Sequence, residues 1–287
     1  MSVKVLKPGL LTTIQDKGRV GFEAFGMPVA GAMDTYAAEL ANCLVNNSKD
    51  TAVLECTQIG PTLTFTKPTT IALTGANMQA MLNGVAISRG KAIAVSKNDV
   101  LALGFAISGV RTYISFSGGI LVDKTLNSKS TYVPAQIGGV NGLALKKHDV
   151  FNIGAALNNN SNSKVKRTTY SNNLVLEVLN GPEWDLLSVE NQESLLGTTY
   201  TASLQSSRMG IRLEGTAISI HGVNEIISSG IVKGTVQLTK GGTPIVMMAD
   251  APTTGGYLRV FVLTTQSINL LAQLPSGGSV RFRLKNE

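Results

Sequence analysis

The chain has 287 residues, with 25 Lys and Arg against 18 Asp and Glu for a formal net charge of +7. Apolar residues make up 43% and charged residues only 15%, which excludes a disordered chain and a charged helical rod, while 30 Gly and 9 Pro point to a turn-rich body of one large or two modest domains. Cys43 and Cys56 are too far apart for a C-x-x-C motif and too few for a disulfide framework.

The first residues alternate Lys with single apolar side chains, so no secretory leader is expected, and no apolar run reaches the ~18 residues of a membrane span. A cytoplasmic chain is expected. From Ala37 a helix is predicted, because Ala37, Leu40, Ala41, Leu44 and Val45 form an i, i+3, i+4, i+7, i+8 stripe, with Asp34 as N-cap and Asn46-Asn47 as the stop. The runs at 62–66 and 111–116 alternate β-branched or aromatic residues with polar ones and read as half-buried antiparallel strands. At 155–173 apolar content collapses into Asn, Ser and Thr around the basic patch 164–167, which reads as an exposed linker between lobes 1–154 and 174–287. Beyond it the sequence predicts a helix over 183–196, opened by Gly181-Pro182 and ended at Gly197, a short one over 268–273, and a half-buried strand at 279–284. Short strands at close spacing with few helices between them predict a mainly β chain of two β-barrel-like lobes.

Several chemistries are missing. No G-x-x-x-x-G-K-[ST], G-x-G-x-x-G or G-x-S-x-G occurs, so no phosphate cradle, dinucleotide fingerprint or nucleophile elbow is expected. His148 and His221 stand alone in separate halves, and no metal site is expected. No Lys has the Met flanks of a biotin attachment site, and the basic patch lacks the interleaved aromatics of a nucleic-acid surface.

Three constellations remain. The apolar run 245–248 delivers Asp250 into a loop with Thr253, Thr254, Gly255, Gly256 and Tyr257, where two glycines allow an anion nest; the competing reading is a simple β-turn. Arg208 and Arg212, four apart in an extended segment, share a face and present two guanidinium forks, or else pair structurally with Glu214 or Asp250. A carboxylate at the end of a buried strand needs a nearby guanidinium, so Asp250 and the arginines are expected to converge. Around the first helix, Gln15, Asp16 and Arg19, with Ser130 and Thr131 from the hydroxyl-rich loop before Gly138-Gly139, form a candidate pocket wall or partner surface, against loop packing as the alternative.

In order, Gly9 to Asp16 with Gly18-Arg19, Gly31-Ala32-Met33-Asp34, Ser128 to Tyr132, Ser207-Arg208-Met209-Gly210 and Thr253-Thr254-Gly255-Gly256-Tyr257 resemble the carboxyltransferase-type family called allophanate hydrolase subunit 2, over about residues 3 to 282. Asn127 stands where that family usually has Gly, Asn141-Gly142 where it has Gly-Arg, and Ala251-Pro252 where it commonly has Arg-Gln. The resemblance implies cyclophilin-like lobes and one subunit of a hetero-oligomeric, ATP-dependent 5-oxoprolinase, working with an A subunit and a Kip inhibitor-like B subunit. ATP, with Mg, would bind on or with a partner. Asp250, Thr253 and Thr254 would be catalytic; Arg208, Arg212, Gly255, Gly256, Tyr257 and Gln237 would bind substrate. The alternatives are the carboxyltransferase half of a urea-carboxylase-type enzyme and a non-enzymatic antagonist of a kinase inhibitor.

Overall fold

The computed structural model describes residues 1–157, 165, 168–219 and 226–285. The chain divides into two units, residues 1–19 with 30–170, and residues 20–29 with 171–287. His221, Lys164, Lys166 and Arg167 lie outside the described residues.

In the first unit, alternation builds two sheets around one core. One runs Ile120–Leu121, Val150–Ile153, Ser2–Lys7, Thr62–Phe65, Val100–Ala102, Met81–Leu82, Val85–Ala86; the other runs Leu11–Gln15, Val53–Thr57, Ser108–Phe116, Thr69–Asn77, Ala92–Val95. Val5, Leu63, Leu101 and Phe151 of the first meet Leu54, Ile71, Ile93 and Ile114 of the second in a single apolar cluster. The strand Ser108–Phe116 departs from the half-buried expectation: every residue from Val110 to Phe116 is buried. Helix α1 (Thr35–Leu44) covers what would have been its wet face, packing Ala37, Ala38 and Ala41 on Val53 and Tyr113. The helix starts and stops where its signals stand. Asp34 Oδ1 accepts the Ala37 amide at 3.0 Å, and Asn46 turns left-handed at φ 59° while the Asn47 amide donates to the Asn42 carbonyl.

Three described residues of the expected linker, Leu157, Val165 and Thr168, bond to this unit. The Leu157 amide donates to Ser117 Oγ, the Val165 amide to the Gly90 carbonyl, and Arg89 to the Thr168 carbonyl. Val165 also packs on Leu44, Val45 and Ala72.

The second unit is a closed barrel of seven strands, in order Asn173–Asn180, Leu258–Leu263, Thr235–Leu238, Pro244–Met247, Gly210–Glu214, Tyr200–Ala202, Ser279–Leu284. All neighbours are antiparallel except the closure of Ser279–Leu284 on Asn173–Asn180, which is parallel over six residue pairs. Aromatic rings fill its interior, with Trp184 on Phe261 at 4.8 Å, Phe261 on Phe282 at 5.3 Å and Tyr200 on Phe282 at 5.7 Å between centroids.

The helix expected over 183–196 is two pieces, a 3-10 turn at Trp184–Leu186 and helix α2 (Val189–Gly197). Ser188 breaks the run because its extended backbone lets its hydroxyl cap the Asn191 amide. Helix α3 (Thr265–Leu271) starts three residues before the sequence signal, capped by Thr264. The chain is mainly β with three α-helices among the described residues; of the two barrel-like lobes expected, the second unit is a closed seven-stranded barrel, whereas the first is built from two sheets of seven and five strands. No described helix is long and apolar enough to cross a membrane.

Candidate functional site

The Asp250 loop grows out of the barrel wall. Strand Gly210–Glu214 pairs with Pro244–Met247, and the ladder continues past both ends, with the Met248 amide donating to the Met209 carbonyl at 3.0 Å and the Asp250 amide to the Arg208 carbonyl at 2.9 Å. Their side chains close the same link. Arg208 donates from Nε to Asp250 Oδ2 at 2.9 Å and from Nη2 to Oδ1 at 2.8 Å, a two-pronged ion pair with side chains 10% and 8% exposed. Asp250 and Arg208 thus converge as the sequence predicts. Arg212 does not join them: it is exposed, beside buried Ile211 and Leu213. The shared-face argument fails because a turn, with the Ser207 amide donating to the Gly210 carbonyl, separates Arg208 from the strand that carries Arg212.

Beyond Asp250 the chain forms a two-residue strand, Thr254–Gly255, paired with Ser229–Gly230 and extended by the Ile231 amide donating to the Thr253 carbonyl at 2.9 Å. Thr253 is half-buried, and Thr254 and Tyr257 are exposed. Neither Gly255 nor Gly256 takes a positive φ, so the pair makes no anion nest. Gly255 is needed for closeness instead: a Cβ there would lie 2.7 Å from Ile231 Cδ1 and 2.9 Å from Gln237 Nε2. Gln237 is buried and its Nε2 donates to the Tyr257 carbonyl at 3.4 Å, which brings Gln237, Gly255 and Tyr257 together. Ala251 packs with Ile231 and Met247 in an apolar contact.

One feature of this end of the barrel has no counterpart in the sequence reading. Glu183, expected there to start a helix, accepts from Arg259 three times: the backbone amide and Nε on Oε2, both at 2.9 Å, and Nη2 on Oε1 at 2.5 Å. The remaining fork atom, Nη1, donates to the Gly230 carbonyl at 2.8 Å. These hydrogen bonds hold the Glu183 carboxyl below its ordinary range and push the Arg259 guanidinium up.

The first-unit candidates form an internal knot. Asp16 Oδ1 accepts from the Ser128 and Ser130 hydroxyls, each at 2.6 Å, and from the Gly18 amide at 2.8 Å, while Oδ2 accepts the Lys129 amide at 2.7 Å. Arg19, fully enclosed, donates to the Ser130 carbonyl. Gln15 donates to Thr13 Oγ1 at 3.0 Å and to the Thr131 carbonyl at 3.1 Å. Gln15, Arg19, Ser130 and Thr131 are all buried and only Asp16 is half-buried, so the cluster ties strand Leu11–Gln15 to the 125–142 loop. Asn127 and Asn141 stand at φ 62° and 54°, in the left-handed region that Gly adopts freely and Asn more readily than other residues with a side chain.

A second buried polar group is also invisible to motif and periodicity. The Tyr113 hydroxyl donates to Glu55 Oε2 at 2.9 Å and accepts the Asp34 amide at 2.8 Å, with Arg111 Nε 3.9 Å from the other Glu55 oxygen. Burial and the neighbouring Glu55 charge push the Tyr113 phenol well above its usual range, so it stays a donor.

The family described as carboxyltransferase domain, subdomain A and B, matches residues 25–284. The chain belongs to that family. The C subunit of the 5-oxoprolinase of Escherichia coli is 34% identical over 98% of this chain and 90% of its own length. Urea amidolyase of Saccharomyces cerevisiae is 29% identical over 98% of this chain but only 16% of its own length. The crystal structure of the Kluyveromyces lactis urea amidolyase superposes with a TM-score of 0.90 at 28% identity, over 99% of this chain and 19% of that one.

Proposed function

We propose that the chain is one component of an ATP-dependent 5-oxoprolinase that works with partner A and B subunits to open 5-oxoproline to glutamate. The observation that carries this reading is the 34% identity to the C subunit of a 5-oxoprolinase over nine-tenths of that protein's length. A lactam carbonyl is a poor electrophile. In this reaction the γ-phosphoryl group of ATP passes to the lactam oxygen with release of ADP, water adds to the activated carbon, the C–N bond breaks as the nitrogen takes up a proton to leave γ-glutamyl phosphate, and a second water hydrolyses that acyl phosphate to glutamate and phosphate. In this reading the Thr253 and Thr254 hydroxyls face the developing negative charge. Asp250 holds the loop through Arg208, and buried Gln237 holds its far end through the Tyr257 carbonyl.

ATP enters as a second substrate. The sequence has no P-loop, and among the described residues Gly255 and Gly256 lack the positive φ of an anion nest and no three His, Cys, Asp or Glu side chains group to hold a metal ion. In this reading the ATP site lies on a partner or in the assembled complex, and the chain alone is inactive. Co-expression with homologues of the A and B subunits should give ATP-dependent glutamate release that the purified single chain lacks. The fold shared with urea amidolyase favours biotin-dependent carboxyl transfer as the second reading. A complex that ignores 5-oxoproline but carboxylates urea from a biotin carrier would replace the first reading with it.

A further inference from the structure

The strand pair Ser229–Gly230 and Thr254–Gly255 has two residues a side. A ribbon that short does not hold itself in water. Its own bonds are supplemented by the Ile231 amide on the Thr253 carbonyl and by a long Gln237 to Tyr257 contact. The other tether is Arg259. Strand Leu258–Leu263 pairs with Thr235–Leu238 with a register shift between Val236 and Gln237, and a bulge of this kind re-aims the side chains beside it. Arg259, opposite Gln237 at that shift, spends Nε and Nη2 on the Glu183 carboxylate and Nη1 on the Gly230 carbonyl. A planar fork reaches both partners at once, whereas a lysine offers a single ammonium.

We propose that Arg259, oriented by Glu183, is a positioning residue that sets the ribbon carrying Thr253, Thr254 and Gly255. The inference rests on the reading of that loop as the substrate-facing one, but its geometric half does not. If Gly230 is fixed, its partner Thr254 and the neighbouring Thr253 are fixed with it, and the two hydroxyls wait in one arrangement rather than sampling several. Loss of that order lowers the chemical step more than substrate capture, because donors aimed at developing charge act mainly in the transition state.

Two measurements on the full chain and the co-expressed complex test this, with Arg259→Lys and Glu183→Gln as variants and Arg283→Lys, at an exposed pair with Glu177, as the control. Hydrogen exchange on the chain alone should show the Ile231 amide exchanging about tenfold or more faster in both variants, with the Val246 amide of the barrel unchanged. In the complex, kcat per folded molecule should fall about tenfold with KM changed less than threefold, and Arg283→Lys should match wild type. Unchanged Ile231 exchange overturns the proposal, and so does equal acceleration at Ile231 and Val246, which marks general loosening. Faster Ile231 exchange with wild-type kcat overturns the catalytic half. A wild-type complex that releases no glutamate counts against the proposed reaction, and the exchange measurement then still decides the positioning.

Discussion

Asp250, 5% exposed and gripped by both prongs of Arg208, has exchanged nearly all its water for one guanidinium. Removing the carboxylate breaks a buried ion pair, so Asp250→Asn should cost roughly 3–5 kcal/mol in urea denaturation, while a paired replacement by apolar residues of similar volume should cost far less. Any activity measured for Asp250→Asn must therefore be scaled to folded protein before a chemical role is read from it. Glu183 gives a pH signature. Its carboxyl is held below the ordinary 4.5 in the folded chain, first by its hydrogen bond from the Arg259 side chain. A depressed carboxylate contributes stability that is fully present above the unfolded value and is lost as pH falls through the folded one. From about pH 6 to about pH 3, wild type should lose more stability than Glu183→Gln, and equal losses would show that the pair contributes nothing.

At the scale of elements, caps decide where helices begin. Asp34→Ala should cost about 0.5–2 kcal/mol, because it removes the oxygen that satisfies the Ala37 amide, and a thermal melt reads this directly. This element is legible in the sequence: stripe, cap and stop all lie within fourteen residues. The α2 region is less so, since Ser188 fits equally well inside a helix or at its start, and only the carbonyls of Trp184 and Leu187 taken by Gln192 show which. Strand Ser108–Phe116 looks half-wet in sequence because periodicity reports alternation but not what α1 will lay over the second face. In the candidate site, Asp250 and Arg208 can be paired from the cost of a buried charge. Arg212 cannot be excluded without the turn at Ser207, and Glu183 with Arg259, 76 residues apart, leaves no local signal. Gln15, Arg19, Ser130 and Thr131 stand out as a group, but their enclosure depends on how the 125–142 loop folds over them.

The whole chain carries one tryptophan, Trp184, and it lies inside the barrel against Phe261. Its fluorescence should follow the second unit alone, while far-ultraviolet circular dichroism follows both. Phe282→Ala, which removes a ring contacting both Phe261 and Tyr200, should lower the fluorescence transition by about 3–5 kcal/mol and shift the remaining dichroism signal little. The parallel closure of the barrel carries a consequence for how fast it can form. The strands that close it, Asn173–Asn180 and Ser279–Leu284, meet across 106 residues of sequence, whereas the hairpin of Thr235–Leu238 and Pro244–Met247 needs only a short loop. Local hairpins zip early and distant pairings wait on a chain search, so the last seam should set the refolding rate. Until it closes, the two strands expose unpaired edges beside Leu174, Leu176, Val280 and Phe282, and a neighbouring chain can occupy them first. Refolding yield should therefore fall as protein concentration rises, even where the native protein is stable.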